Sequence, residues 1–193
     1  GPDGVRKVAA CGHKIFLDLK YHDIPNTVAG AIRAAAGLNC AVLTVHASGG
    51  PAMLEAAMAA AAEAGRKRPK VVAVTVLTSL DDGDLTAVGQ HGPAADQVLR
   101  LARLAEASGL DGVVCSPHEV GLLRREIGAA FALVVPGVRP DWAGADDQKR
   151  VMTPGEAIAA GADHLVIGRP ITKSADPVAA ARRIAVEIAD AGR

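Results

Sequence analysis

The sequence predicts an α/β protein, a (β/α)8 or TIM barrel of which about six of the eight strand–helix units are evident. Three observations carry this reading. Short β-branched apolar runs alternate with Ala-rich segments of helical period, the pattern of parallel strands joined by right-handed crossovers. Those runs show little apolar–polar alternation, as expected of strands covered on both faces. Polar residues end nearly every run: Asp18 and Lys20, His46, Thr75 and Thr78, Ser116, Arg139 and Arg169. The active-site face of a barrel has this character. An open doubly wound sheet competes, but it calls for a Gly-rich dinucleotide fingerprint after the first strand, and none stands there.

In chain order, Gly1 to Gly12 reads as the end of a helix, with Val5, Val8 and Ala9 apolar and Gly12 as the stop. Strands are expected over 14–19, 41–46, 70–77, 112–115, 132–135 and 164–167. Pro25 opens a helix that Gly37 closes, and Pro51 opens another that Gly65 closes. Over about 94–108, Val98, Leu101, Ala102 and Ala105 form one apolar stripe before Gly109. Ser116-Pro117-His118-Glu119 and Thr153-Pro154-Gly155-Glu156 read as capping boxes, the second helix ending at Gly161, and Asp176-Pro177 starts the last helix. A typical barrel takes ~250 residues. A strand–helix–strand stretch is therefore expected to be missing ahead of Gly1, and residues 1–193 are read as one N-terminally incomplete barrel domain. Six parallel strands alone leave two exposed edges.

Composition narrows the function. Lys+Arg and Asp+Glu balance at 21 each, which speaks against a nucleic-acid-binding face. Aromatic residues are 2% of the chain, too few for a base-stacking platform. No apolar run approaches the ~20 residues of a membrane span. Cys11, Cys40 and Cys115 are odd in number and far apart, which predicts reduced, mostly buried thiols in a cytoplasmic protein. His13, His91, His118 and His164 lack metal-ligand spacing.

The densest chemistry lies in Phe16-Leu17-Asp18-Leu19-Lys20-Tyr21-His22-Asp23-Ile24-Pro25-Asn26-Thr27. Asp18 and Lys20 share strand parity, so both point to one face, into the barrel mouth. A buried ammonium there is costly unless paired, and the adjacent carboxylates supply the pairing. Taken alone, a D-x-K is more often the solvated end of a strand with an incidental ion pair. Its place between an apolar strand and a Pro-initiated helix argues for chemistry. His46 reads as a packed histidine. His22 has the opposite parity to Lys20 and is left out, and Ser116 reads as a helix cap.

The run Asp18-Leu19-Lys20-Tyr21-His22-Asp23-Ile24-Pro25-Asn26-Thr27-Val28 resembles the signature of the orotidine 5'-phosphate decarboxylase family. Val45-His46-Ala47-Ser48-Gly49-Gly50, Val74-Thr75-Val76-Leu77-Thr78-Ser79, Pro136-Gly137-Val138-Arg139, Asp147-Gln148-Lys149-Arg150 and Ile167-Gly168-Arg169-Pro170 are similar to family segments in family order. The likeness covers the chain from about Gly12 onward. Sugar-phosphate decarboxylases and aldolases share D-x-K-x-x-D, but the H-D-I-P-N-T continuation is similar to the orotidylate branch.

The resemblance implies a carboxy-lyase free of cofactor and metal, which converts orotidine 5'-phosphate to UMP in de novo pyrimidine biosynthesis. Lys20 matches the lysine that stabilises and then protonates the C6 carbanion, and Asp18 the aspartate beside it. Asp23 and Thr27 match residues that act across a homodimer interface. Thr78 matches a pyrimidine contact. Arg139, Gln148, Gly168 and Arg169 match the phosphate site, with 140–149 as a mobile lid. The family's ribose-binding aspartate and a further lysine have no counterpart before Lys14, so activity is expected to be lost or severely reduced unless those units are supplied. Two other readings stay open: an inactive barrel fragment that only binds nucleotide phosphate, and a metal-dependent sugar-phosphate decarboxylase or aldolase relative.

Overall fold

A computed structural model describes residues 1–143 and 152–192. Gln148, and residues 144–149 of the expected lid, lie outside the described residues. All six expected strands form: β1 (Phe16–Tyr21), β2 (Val42–His46), β3 (Lys70–Val74), β4 (Gly112–Val114), β5 (Ala132–Pro136) and β6 (His164–Val166). Strand order follows chain order. Between them run α1 (Pro2–Ala9), α2 (Pro25–Ala36), α3 (Pro51–Ala62), α4 (Asp82–Ala87), α5 (Ala94–Ala107), α6 (Val120–Ile127), α7 (Pro154–Ala159), α8 (Arg169–Thr172) and α9 (Pro177–Ala191). Among the described residues, no helix is long and apolar enough to cross a membrane.

The chain divides into two compact units. The first is Gly1–Thr75 with Gln97–Val113. Here β1 and β2 pair in parallel through Phe16 and Val42, and β2 and β3 through Leu43 and Val71. Helix α2 buries Val28, Ala29, Ile32 and Ala35, and α3 buries Met53, Leu54 and Ala57. The side chains along these helices are small because Ala dominates both, and small side chains let helices approach closely. The Arg33 guanidinium of α2 clasps Glu63, just past α3, with bonds of 2.8 to 3.0 Å. That pairing raises the Arg33 pKa and lowers that of Glu63. The stripe Val98, Leu101, Ala102 and Ala105 is the buried face of α5.

The second unit is Val76–Asp96 with Val114–Arg193. Strands β5 and β6 pair in parallel from Val134 and His164. The expected caps form. Glu156 N–H donates to Thr153 Oγ1 at 3.2 Å while Thr153 N–H donates to the Glu156 carboxylate at 2.8 Å. Ser116 N–H donates to Glu119 at 2.7 Å, and Asp176 takes the Val178 and Ala179 N–H groups at the start of α9. Each satisfies donors that a helix start leaves orphaned.

Three expectations are corrected. Strand β3 stops at Val74, not 77, because the apolar run continues into a turn closed by Leu80 N–H on the Leu77 carbonyl at 3.0 Å. Strands β1 and β6, the two terminal strands of the order, carry exposed residues, whereas β2, β3 and β5 are largely buried along their length. Helix α4 was not expected. Its signal is the reciprocal cap between Asp81 and Asp84, at 3.0 and 3.1 Å, hidden in an acidic Gly-containing stretch.

A shared device fixes the strand starts. Asp111, one residue before β4, accepts Val71 N–H at 2.8 Å and Arg68 Nη2 at 3.0 Å. Asp163, one residue before β6, accepts Leu133 N–H at 2.7 Å and the Arg124 guanidinium. Each aspartate follows a helix stop at Gly109 or Gly161, whose φ angles of +77° and +111° suit glycine.

Candidate active site

Strand β1 does not run straight to its end. Leu17 pairs with Leu43 and Tyr21 with Val45, so Asp18, Leu19 and Lys20 together face the single residue Thr44. A bulge of this kind bends a strand and re-aims its side chains. Lys20 absorbs the bend with φ +50°, a left-handed conformation that costs a non-glycine residue on the order of 1 kcal/mol.

The bulge brings Asp18 and Lys20 together. Lys20 Nζ donates to Asp18 Oδ2 at 2.5 Å. The expectation of one shared face is met, through the bulge rather than regular pleating. The expectation of a buried ammonium is corrected: both side chains are 39% exposed, because they leave β1 at its C-terminal end, beyond the straight part of the ladder. Thr44, fully buried on β2, was missed. Its hydroxyl accepts Lys20 N–H at 2.8 Å and donates to Asp18 Oδ1 at 2.9 Å. The available signal was a hydroxyl of the same parity as His46, among the apolar residues of 42–46.

His46 ends β2, and the His22 ring lies 5.3 Å from it between centroids. The parity argument that set His22 aside does not hold, because the bulge interrupts the alternation it assumed. Gly49 permits this packing: a Cβ there would meet Met53 Sδ at 2.1 Å and His22 Cδ2 at 3.4 Å. Burial lowers the His46 pKa below its ordinary 6.5, and His22 and Lys20 lower it further against the opposing pull of Asp18. The unfolded chain therefore takes up a proton at a higher pH than folded His46 does. Stability is expected to be full above about pH 6.5 and to fall as the pH drops through the lowered folded value. Thermal midpoints measured across this range should decline toward acid, and His46→Gln should flatten the decline. An unchanged slope in that variant excludes His46 as the group responsible.

Asp23 lies in the loop after β1, where its carboxylate accepts Ile24 N–H at 2.6 Å; it is Asp18 that pairs with Lys20. Thr27 is exposed in the first turn of α2. Leu19 and Ile24, on either side of this loop, are apolar and exposed at 53% and 68%.

In the second unit, Arg139 follows β5 and is 6% exposed, with its N–H on the Met152 carbonyl at 3.0 Å. Gly168 and Arg169 make the turn from β6 into α8, where Ile171 and Thr172 N–H groups donate to the Gly168 carbonyl at 2.9 and 3.0 Å. Thr78 sits in the turn after β3 and not at a strand end. Cys40 and Cys115 are buried and Cys11 exposed, and burial raises the pKa of Cys40 and Cys115.

An ammonium held against a carboxylate at the C-terminal end of a parallel strand lies where α/β enzymes place their chemistry. Comparison with known proteins gives the family. Residues 1–184 match the family described as orotidine 5'-phosphate decarboxylase / HUMPS. The orotidine 5'-phosphate decarboxylase of Halorhodospira halophila is 57% identical over 192 residues, which cover 100% of this chain and 81% of that protein. Its counterpart from Rhodospirillum rubrum is 57% identical over 193 residues, covering 97% and 78%. The crystal structure of orotidine 5'-phosphate decarboxylase from Lactobacillus acidophilus superposes with a TM-score of 0.87 at 43% identity, over 97% of this chain and 81% of that one. The chain belongs to the orotidine 5'-phosphate decarboxylase / HUMPS family.

Proposed function

We propose that this chain decarboxylates orotidine 5'-phosphate to UMP in pyrimidine biosynthesis, and the observation that carries the reading is the Asp18–Lys20 pair held at the end of β1. The C6–carboxylate bond breaks, CO2 leaves, and the electron pair remains on C6. Lys20 Nζ stabilises that charge and passes its proton to C6, and the neutral amine regains a proton from solvent. Asp18 orients the ammonium and repels the departing carboxylate. A preorganised charge aimed at a developing carbanion is worth most where little reorganisation is needed. Arg139, Gly168 and Arg169, with Gln148, are the proposed phosphate ligands, and Thr78 the pyrimidine contact.

The test is loss of orotidylate absorbance on adding the protein, repeated with EDTA. Turnover unaffected by EDTA supports the reading. UMP binding without turnover favours a phosphate-binding protein without activity, and EDTA-sensitive turnover of a sugar phosphate favours the metal-dependent relatives.

The active species is proposed to be a homodimer in which Asp23 and Thr27 reach the partner's site. Exposed Leu19 and Ile24 beside Asp23 supply apolar surface that a second copy would cover. Mixing Asp23→Ala with Lys20→Ala protein should restore about a quarter of the wild-type activity, because half the dimers are mixed and each holds one intact site. No recovery places Asp23 in its own chain's site.

A further inference from the structure

We infer that Thr44 is a positioning residue for the reaction: its one hydroxyl fixes both the Asp18 carboxylate and the backbone of Lys20. The inference rests on the proposed decarboxylation. The argument begins with the donors. Lys20 N–H can only donate, so at 2.8 Å the Thr44 oxygen must accept from it. The single hydroxyl proton is then free to point one way, to Asp18 Oδ1 at 2.9 Å. Lys20 Nζ takes the other oxygen, Oδ2, at 2.5 Å. Both carboxylate oxygens are thereby assigned, one to a fully buried neutral donor and one to the half-exposed ammonium.

The same hydroxyl answers a problem the bulge creates. Three residues of β1 face one of β2, so Lys20 N–H falls out of the ladder register. A part-buried N–H without a partner is costly. Thr44 supplies the acceptor and holds Lys20 at φ +50°, the backbone state from which its side chain reaches Asp18. Valine has the shape of threonine without the hydroxyl, so Thr44→Val removes both bonds while keeping the packing. Serine retains them.

The experiment measures kcat, KM and UMP affinity for the wild type, Thr44→Val and Thr44→Ser, with amide hydrogen exchange at Lys20 read alongside. In Thr44→Val, kcat should fall roughly 10- to 100-fold, since one misplaced charged group costs that much. UMP affinity should stay within about 3-fold of the wild type, because UMP carries no C6 carboxylate for the array to meet. Thr44→Ser should recover most of kcat. Lys20 amide protection should be present in the wild type and the serine variant and lost in the valine variant. Wild-type kcat in Thr44→Val overturns the inference, as does equal impairment in the valine and serine variants. If Thr44→Val does not fold, Thr44→Ala takes its place against Thr44→Ser. An unprotected Lys20 amide in the wild type overturns the inference whatever the variants do. If the wild type does not turn over orotidylate, the outcome matches the loss expected without the further strand–helix units, and the exchange data alone decide whether Thr44 holds Lys20.

Discussion

Lys20→Ala is expected to lower kcat for orotidylate decarboxylation by roughly 10^4-fold or more, since it removes the proposed general acid and charge-stabilising group at once. The fold should survive. The side chain is 39% exposed, and its backbone N–H keeps its bond to Thr44 Oγ1 at 2.8 Å. Binding should change in a diagnostic way. Without the ammonium, Asp18 retains one neutral donor and a full negative charge. Orotidylate carries a carboxylate at C6 and UMP does not, so affinity for orotidylate should fall further than affinity for UMP. Lys20→Arg restores the charge but not a proton that can be given up, because guanidinium stays protonated. It should recover substrate affinity in part and kcat hardly at all. Steady-state kinetics with calorimetric UMP binding on the same samples checks these outcomes. A kcat within 10-fold of the wild type in Lys20→Ala would remove Lys20 from the mechanism.

Much of the fold was legible in the residues because its signals are local. Continuous β-branched runs mark β2, β3 and β5, and Pro25, Pro51, Pro154 and Pro177 each stand at the first turn of a helix. The Asp18–Lys20 pairing was legible too, since i and i+2 share a face in a strand, and the pair meets despite the bulge. What was not legible is non-local. Nothing in Asp18-Leu19-Lys20 announces a bulge, for it holds neither Gly nor Pro. The bulge exists because of how β1 registers against β2, and register is a property of two segments. Thr44 reads as an ordinary β-branched strand residue until the three residues opposite it are known. The exposure of Lys20 is hidden for the same reason: strand parity points it into a barrel mouth, while the strand leaves the ladder at that point.

Arg124→Met is expected to be the most destabilising substitution of a charged residue in the second unit, at about 2–4 kcal/mol. In the last turn of α6 this arginine resembles a surface cation placed to suit the helix dipole. It is instead 17% exposed and spans three elements. Nε donates to the Gly161 carbonyl at 2.8 Å, and Nη1 to the Gly128 and Phe131 carbonyls at 3.1 and 2.7 Å. Nη2 meets Asp163, which also holds the Leu133 N–H at 2.7 Å. Methionine keeps the aliphatic stem but strands three carbonyls and leaves Asp163 without its countercharge. Partial exposure of Asp163 discounts the charge contribution, so the estimate stays below that for a fully buried pair. Lysine cannot substitute, since one ammonium cannot reach three carbonyls and a carboxylate in a plane. The thermal midpoint should fall by roughly 5–15 °C on the scale of a domain this size. Arg125→Met is the control: its side chain is 68% exposed and pairs with Glu126 at 3.5 Å, so its change should lie within about 0.5 kcal/mol. Asp163→Asn in the Arg124→Met background should cost less than it does alone, because its charged partner is already gone. These groups cluster where β5 and β6 begin, whereas the proposed chemistry belongs to strand C-terminal ends. Decarboxylation assayed well below the transition should therefore keep its kcat, and a loss of kcat there would show that the strand starts and the site are coupled.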